Sequence, residues 1–210
     1  MKKSGFTIIE VVIVFLLILG VTFLILPKSL DNTKHAKMIS EWSEKYSEIE
    51  YMFSVIRAQE EEKLSNKFSA ASSDEAKKQM VLDTISPFLR ITSKMPLNYS
   101  QNYMSGMPVM MGDQYYFDVF YKTEGNEAIG VKWVMPKCVQ GNICAIMSLD
   151  INGEEKPNTW GYDVYGINMY KNKVEPVGKG IEQTILKNNC SNRGTGVYCS
   201  YYYLIGGKFD

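Results

Sequence analysis

A net charge of either sign is what this chain lacks: 23 Lys and Arg balance 23 Asp and Glu. No overall field draws it to nucleic acid, and no nucleic-acid partner is predicted. Histidine is nearly missing as well. The single one, His35, lies in a helix-patterned stretch near the N-terminus, where it reads as a solvated or headgroup-facing side chain and not as a base. There is no G-x-S-x-G, no phosphate-cradling glycine loop and no H-E-x-x-H, so no enzyme is expected. A paired-carboxylate hydrolase needs only two convergent acids, and nothing singles out such a pair. Proline is scarce at 7 of 210 residues, while 45% of the chain is hydrophobic and 12% aromatic. That composition excludes disorder and suits one domain with at most an appendage.

What is present is unevenly spread. From Phe6 to Leu26 the only polar side chains are Thr7, Glu10 and Thr22. As a helix this stretch would be roughly 31 Å long, the thickness of a bilayer's hydrocarbon core, so a membrane span is expected. Lys2 and Lys3 ahead of it suggest a secretory signal, but the run ends Leu26-Pro27-Lys28 without a small-x-small cleavage site. Flanking charge does not orient the segment, because Lys28, Lys34 and Lys37 beyond it outnumber the two lysines before it.

The hexapeptide Gly5-Phe6-Thr7-Ile8-Ile9-Glu10, followed by the apolar run, resembles the processing site of type IV prepilins and of the pseudopilins of type II secretion. The resemblance covers about the first thirty residues, including Pro27, which stands where many members carry a helix-kinking proline. It implies cleavage between Gly5 and Phe6 by a prepilin peptidase on the cytoplasmic side and methylation of the new amine. Cleavage would remove two lysines and leave the mature chain mildly acidic. The implied location is the bacterial inner membrane, single-pass with a cytoplasmic N-terminus, then a periplasmic or cell-surface filament. The implied partners are membrane lipid, an assembly ATPase with its inner-membrane platform, and copies of the chain or related pilins. Glu10 has the assembly role. A carboxylate in an apolar segment costs about 2.5–3.5 kcal/mol on insertion scales, and in the family it is thought to pair with the terminal amine of a neighbouring subunit. Headgroup placement of an uncleaved anchor is the plainer alternative for it.

Beyond Pro27, Ile39, Trp42, Tyr46, Ile49, Phe53 and Ile56 recur at steps of three and four, which predicts an amphipathic continuation of the helix to about Glu62. Packing on the protein's own domain and a coiled-coil dimer both explain the stripe. Lys63 to Ser73 reads as a connector, with Ser73 or Asp74 capping a second helix to about Ile85 whose last turn Pro87 disturbs. A long loop is expected between Pro96 and Gly112. Its methionines, Met104, Met107, Met110 and Met111, have no His or Cys nearby and read as core filler. Strands are predicted at Tyr115–Lys122, Ala128–Val134, Ile143–Ile151, Tyr165–Tyr170 and Val197–Ile205, the first two joined by a hairpin at Thr123–Glu127.

The four cysteines are Cys138, Cys144, Cys190 and Cys199. An even number in an exported domain suggests disulfides. Three pairings are open; Cys138–Cys144 and Cys190–Cys199 are favoured because each closes a short loop over turn-forming residues. Zinc is the runner-up, though neither spacing is a C-x-x-C knuckle. The stretch from Asp150 to Asp163 resembles a segment recurring in pilin-like proteins. Some pseudopilins hold calcium in a C-terminal loop, so Asp150, Asn152, Glu154 and Asp163 are candidate ligands. Two ion-free turns, at Asn152-Gly153 and Pro157-Asn158, explain the same residues.

The expected fold is α+β and pilin-like: leader 1–5, transmembrane helix 6–26, amphipathic helix 27–62, and a head 63–210 with a small antiparallel sheet of four or five strands. The expected function is that of a major or minor structural subunit of a type IV filament. The alternatives are a type II secretion pseudopilin and, in another class, a membrane-anchored binding or sensor protein that never polymerises.

Overall fold

The computed structural model describes residues 8–59, 73–135 and 138–208; the side chains of 20–32, 59, 74, 77 and 78 are outside the description as well. Gly5, Phe6, the leader, the predicted helix end at Glu62 and the connector from Lys63 to residue 72 all lie outside the described residues. The chain divides into two units, 1–37 and 38–210. Helix α1 is Ile8–Gln59. In the first unit its side chains from Ile8 to Leu19 are all exposed.

In the second unit the stripe read from the sequence packs on the protein's own sheet. Trp42, Ile49, Met52 and Ile56 are buried, with Ile39, Tyr46 and Phe53 half-buried beside them. Helix α2 is Asp74–Leu89, and the Ser73 hydroxyl caps it by accepting the Ala76 N–H at 3.2 Å. It runs through Pro87, whose missing N–H removes one rung near the end, and stops at Arg90 in the left-handed conformation (φ 48°). Six strands follow: β1 Ile91–Lys94, β2 Phe120–Thr123, β3 Ala128–Trp133, β4 Ile143–Asp150, β5 Val164–Tyr170 and β6 Val174–Pro176. They form one antiparallel sheet in chain order, β1 to β6. Helices α3, Gln183–Asn189, and α4, Cys199–Tyr202, complete the chain.

Strand alternation assigns the two faces. Odd residues of β3 to β5 (Ile129, Val131, Ala145, Met147, Leu149, Tyr165, Ile167) join α1 and α2 in one core. Even residues Ala128, Ile146 and Val164 join Phe117, Phe120 and Trp160 in a second. On that second face Gly130, Ser148 and Gly166 stand opposite one another across three strands. A Cβ at Gly130 would lie 2.9 Å from the Phe117 and Phe120 rings, and one at Gly166 would lie 2.9 Å from Trp160. Small residues there make room for the aromatic layer.

Several expectations are corrected. Among the described residues no helix is long and apolar enough to cross a membrane. The transmembrane half, the pilin-like class built on it and the single-pass inner-membrane location are therefore not upheld. What stands is a set of helices with a six-stranded antiparallel sheet. The strand expected at Val197–Ile205 is helix α4 with turns. There Tyr202 and Tyr203 donate backbone N–H bonds to Tyr198 and Cys199, and local packing overrides the β-propensity of the tyrosines. The strand expected from Tyr115 begins only at Phe120, because Tyr115 and Phe117 turn into the second core. Strands β1 and β6 and helix α3 are short elements that the pattern did not reveal.

Candidate functional site

Eleven large apolar side chains stand exposed at the start of α1: Ile8, Ile9 and Val11 to Leu19, between 41% and 84% accessible. Glu10, in the first turn of the helix, is the one charge among them. A helix that is apolar all round is the kind found inside a larger assembly, and an exposed patch of this size marks an interaction surface. A carboxylate in a first turn also complements the partial positive charge of a helix N-terminus, a purely local role. Gly5 and Phe6, the processing residues, fall outside the described region.

The proposed calcium ligands are only partly brought together. Asp150 and Asp163 are fully buried at the ends of β4 and of the turn before β5. Asp150 accepts the backbone N–H groups of Asn152 and Gly153 on Oδ1 at 3.2 and 2.9 Å, and the Tyr99 hydroxyl on Oδ2 at 2.6 Å. Asp163 accepts the N–H groups of Asn158 and Thr159 at 2.9 and 2.5 Å, and the Asn152 side chain bonds to it. Glu154 is elsewhere, exposed and 3.5 Å from the Lys122 ammonium. No group of three or more His, Cys, Asp or Glu is placed to hold a metal among the described residues. The Asp150 and Asp163 carboxylates act as internal acceptors that tie the 150–163 segment to itself and to Tyr99. At Gly153 (φ +67°) a Cβ would collide with the Asn126 carbonyl, so the tight turn needs glycine.

Both carboxyls lie above the ordinary range. Burial pushes Asp150 up and the Asp163 charge adds to it, against the hydrogen bonds from Tyr99, Gly153 and Asn152. Burial also raises Asp163 to about 6, against its backbone and Asn152 donors. A carboxyl raised in the folded state contributes stability that is complete below the unfolded value, about pH 4, and is lost as pH climbs through about 6. Asp150→Asn keeps an oxygen for the Gly153 N–H and turns an amide toward the Tyr99 oxygen, without the charge. Its urea midpoint should match wild type near pH 4 and exceed it near pH 7.5, giving a flatter profile between. A variant less stable than wild type near pH 7.5 would show that the loop needs the anion.

Both favoured disulfides are present, Cys138–Cys144 and Cys190–Cys199, with Cα atoms 4.9 and 5.3 Å apart. His35 is buried at 4% exposure, where its sequence context suggested a solvated or headgroup-facing side chain. The methionine loop is corrected too. Met104 packs against the main core, whereas Met107, Met110 and Met111 are exposed. Asp113 holds the loop in shape by accepting the Tyr103 hydroxyl and the Met110 N–H.

The partners of the buried carboxylates escaped the sequence reading. Tyr99 lies 51 residues from Asp150, and an isolated Tyr in a loop gives no pattern to follow. Set against known proteins, the chain matches no family model, no curated protein and no solved structure.

Proposed function

We propose that the chain is a structural subunit of a type IV-like helical filament, freed of its first five residues by a peptidase that cuts between Gly5 and Phe6. The carrying observation is the collar of eleven exposed apolar side chains around Glu10. Burying one such side chain is worth about 1.5–3 kcal/mol, so covering even half of them competes with the roughly 4–15 kcal/mol that association costs. Copies of the same helix, carrying the same apolar surface, are the partners that suit it. The Gly5-to-Glu10 motif supplies the processing step, and two disulfides agree with an exported head. A peptidase and an assembly ATPase complete the machinery that this reading requires.

The test is the N-terminus of the assembled subunit. Intact mass of sedimented filaments should give a chain beginning at Phe6, and Gly5→Leu, which puts a bulky side chain next to the scissile bond, should leave the full-length chain and no filaments. Filaments built from subunits that retain Met1 or Lys2 would overturn the reading.

A further inference from the structure

The connection from β1 to β2 carries three methionines in the open. Met107, Met110 and Met111 are between 59% and 84% exposed. The contrast with the rest is sharp: Met52, Met95, Met147 and Met169 are at most 8% exposed, and Met38 and Met104 pack against the main core. A long apolar side chain gains by burial, so three of them left in solvent on one short stretch call for an explanation.

The stretch that presents them is tied down. The Tyr103 N–H donates to the Met107 carbonyl at 2.7 Å, the Val109 N–H to the Gln101 carbonyl at 3.0 Å and the Asp113 N–H to the Met110 carbonyl at 3.0 Å. The Asp113 carboxylate accepts the Met110 N–H at 2.9 Å and the Tyr103 hydroxyl at 3.1 Å, and the Asp113 carbonyl accepts the Lys132 ammonium at 2.9 Å. These bonds are made by the backbone and by Tyr103, Asp113 and Lys132, and a thioether takes part in none of them.

We propose that Met107, Met110 and Met111 form a site of reversible oxidation, which peroxides modify ahead of every other described methionine. A sulfur lone pair attacks one oxygen of hydrogen peroxide and the O–O bond breaks. The departing hydroxide takes the proton of the transferred oxygen and leaves as water, and the sulfur, two electrons poorer, is a sulfoxide. In the return step a dithiol supplies two electrons and two protons and becomes a disulfide, while the sulfoxide oxygen leaves as water; each sulfoxide epimer has its own reductase. The oxidant must reach the sulfur itself, so methionines in the cores react only when local opening exposes them. Oxidation turns three apolar side chains polar while the bonds that shape the loop stay in place. The surface changes and the fold does not, whether or not the chain polymerises.

The experiment treats the full chain, kept in solution with a zwitterionic detergent, with hydrogen peroxide and follows each methionine separately by peptide mapping. Met107, Met110 and Met111 should gain oxygen about tenfold or more faster than Met52, Met95, Met147 and Met169, because the buried four wait for local opening. The chain carrying all three sulfoxides should melt within about 2 °C of the untreated one, the scale of a surface change. The two sulfoxide reductases, supplied with a dithiol, should then remove all three oxygens from the folded chain. Met107→Leu, Met110→Leu and Met111→Leu combined should abolish the fast phase. Oxidation of the three no faster than of the buried four, a fast phase that survives the triple substitution, a larger fall in melting temperature, or sulfoxides that the reductases reach only after unfolding would each overturn the proposal.

Discussion

Glu10→Val should be cut after Gly5 as efficiently as wild type and yet lower the yield of sedimented filament by tenfold or more. Eleven exposed apolar neighbours surround Glu10, so packing copies through this surface takes the carboxylate out of water. A charge so placed needs a cation, and at an effective dielectric of about 20 a pair 4 Å apart gains about 4 kcal/mol. In the filament proposed above, the amine created at Phe6 of an adjacent subunit would be that cation. A first-turn carboxylate contributes about 0.3–1 kcal/mol to its helix, so the larger part of the defect should appear in assembly. Glu10→Asp, one methylene shorter, should be intermediate. A Glu10→Val subunit that polymerises as well as wild type when it is the sole copy would show that the carboxylate does not set the register.

Trp42→Ala should remove about 3–5 kcal/mol from the folded head and lower its melting temperature by roughly 6–20 °C. Trp42 is fully buried, stacks on Tyr165 at 4.7 Å with ring planes 9° apart, and donates its indole N–H to the Ser200 carbonyl at 2.8 Å. The substitution leaves a cavity between α1 and the sheet and a buried carbonyl without its donor. Trp42→Phe separates the two effects. It keeps most of the ring but not the N–H, and should cost about 1–3 kcal/mol, the price of one unmet buried acceptor. Urea unfolding of the full chain gives both values; a Trp42→Ala loss under about 1 kcal/mol would mean that the helix stripe does not anchor the head.

Local features were legible in the sequence. Ser73 as a cap, the hairpin at Thr123–Glu127, the spacing of Trp42 and Ile49, and the two short disulfide loops all involve residues within a few positions of their partners. The hairpin is seen in the bonds between Thr123 and Glu127, and Lys45 reaches Glu127 at 2.9 Å to fasten it to α1. Thr123 and Lys45 together hold the Glu127 carboxyl below its ordinary range, even though burial pushes it up. What the sequence hid depends on distant partners: the hydroxyl of Tyr99 on Asp150, the indole of Trp42 on Ser200, and the packing that makes Cys199–Tyr202 helical. The membrane reading failed for a different reason. Counting apolar residues to Leu26 measures composition, and among the described residues no helix is long and apolar enough to cross a membrane. Gly5, Phe6 and Glu10 were read wholly from the motif, which needs no tertiary partner to be recognised.

The chain-order arrangement of β1 to β6 also bears on how the head forms in time. Each strand pairs with the one just before it, so apart from the long connection between β1 and β2 each step of sheet growth closes a modest loop and costs little closure entropy. The sheet can zip up progressively as the polypeptide emerges during synthesis. Docking of α1 cannot keep pace, because the Trp42–Ser200 bond spans 158 residues. The stripe of α1 can pack on the sheet once its strands are made, but the Trp42 end must wait for nearly the last residues, and over that interval this part of the nascent chain is most open to aggregation.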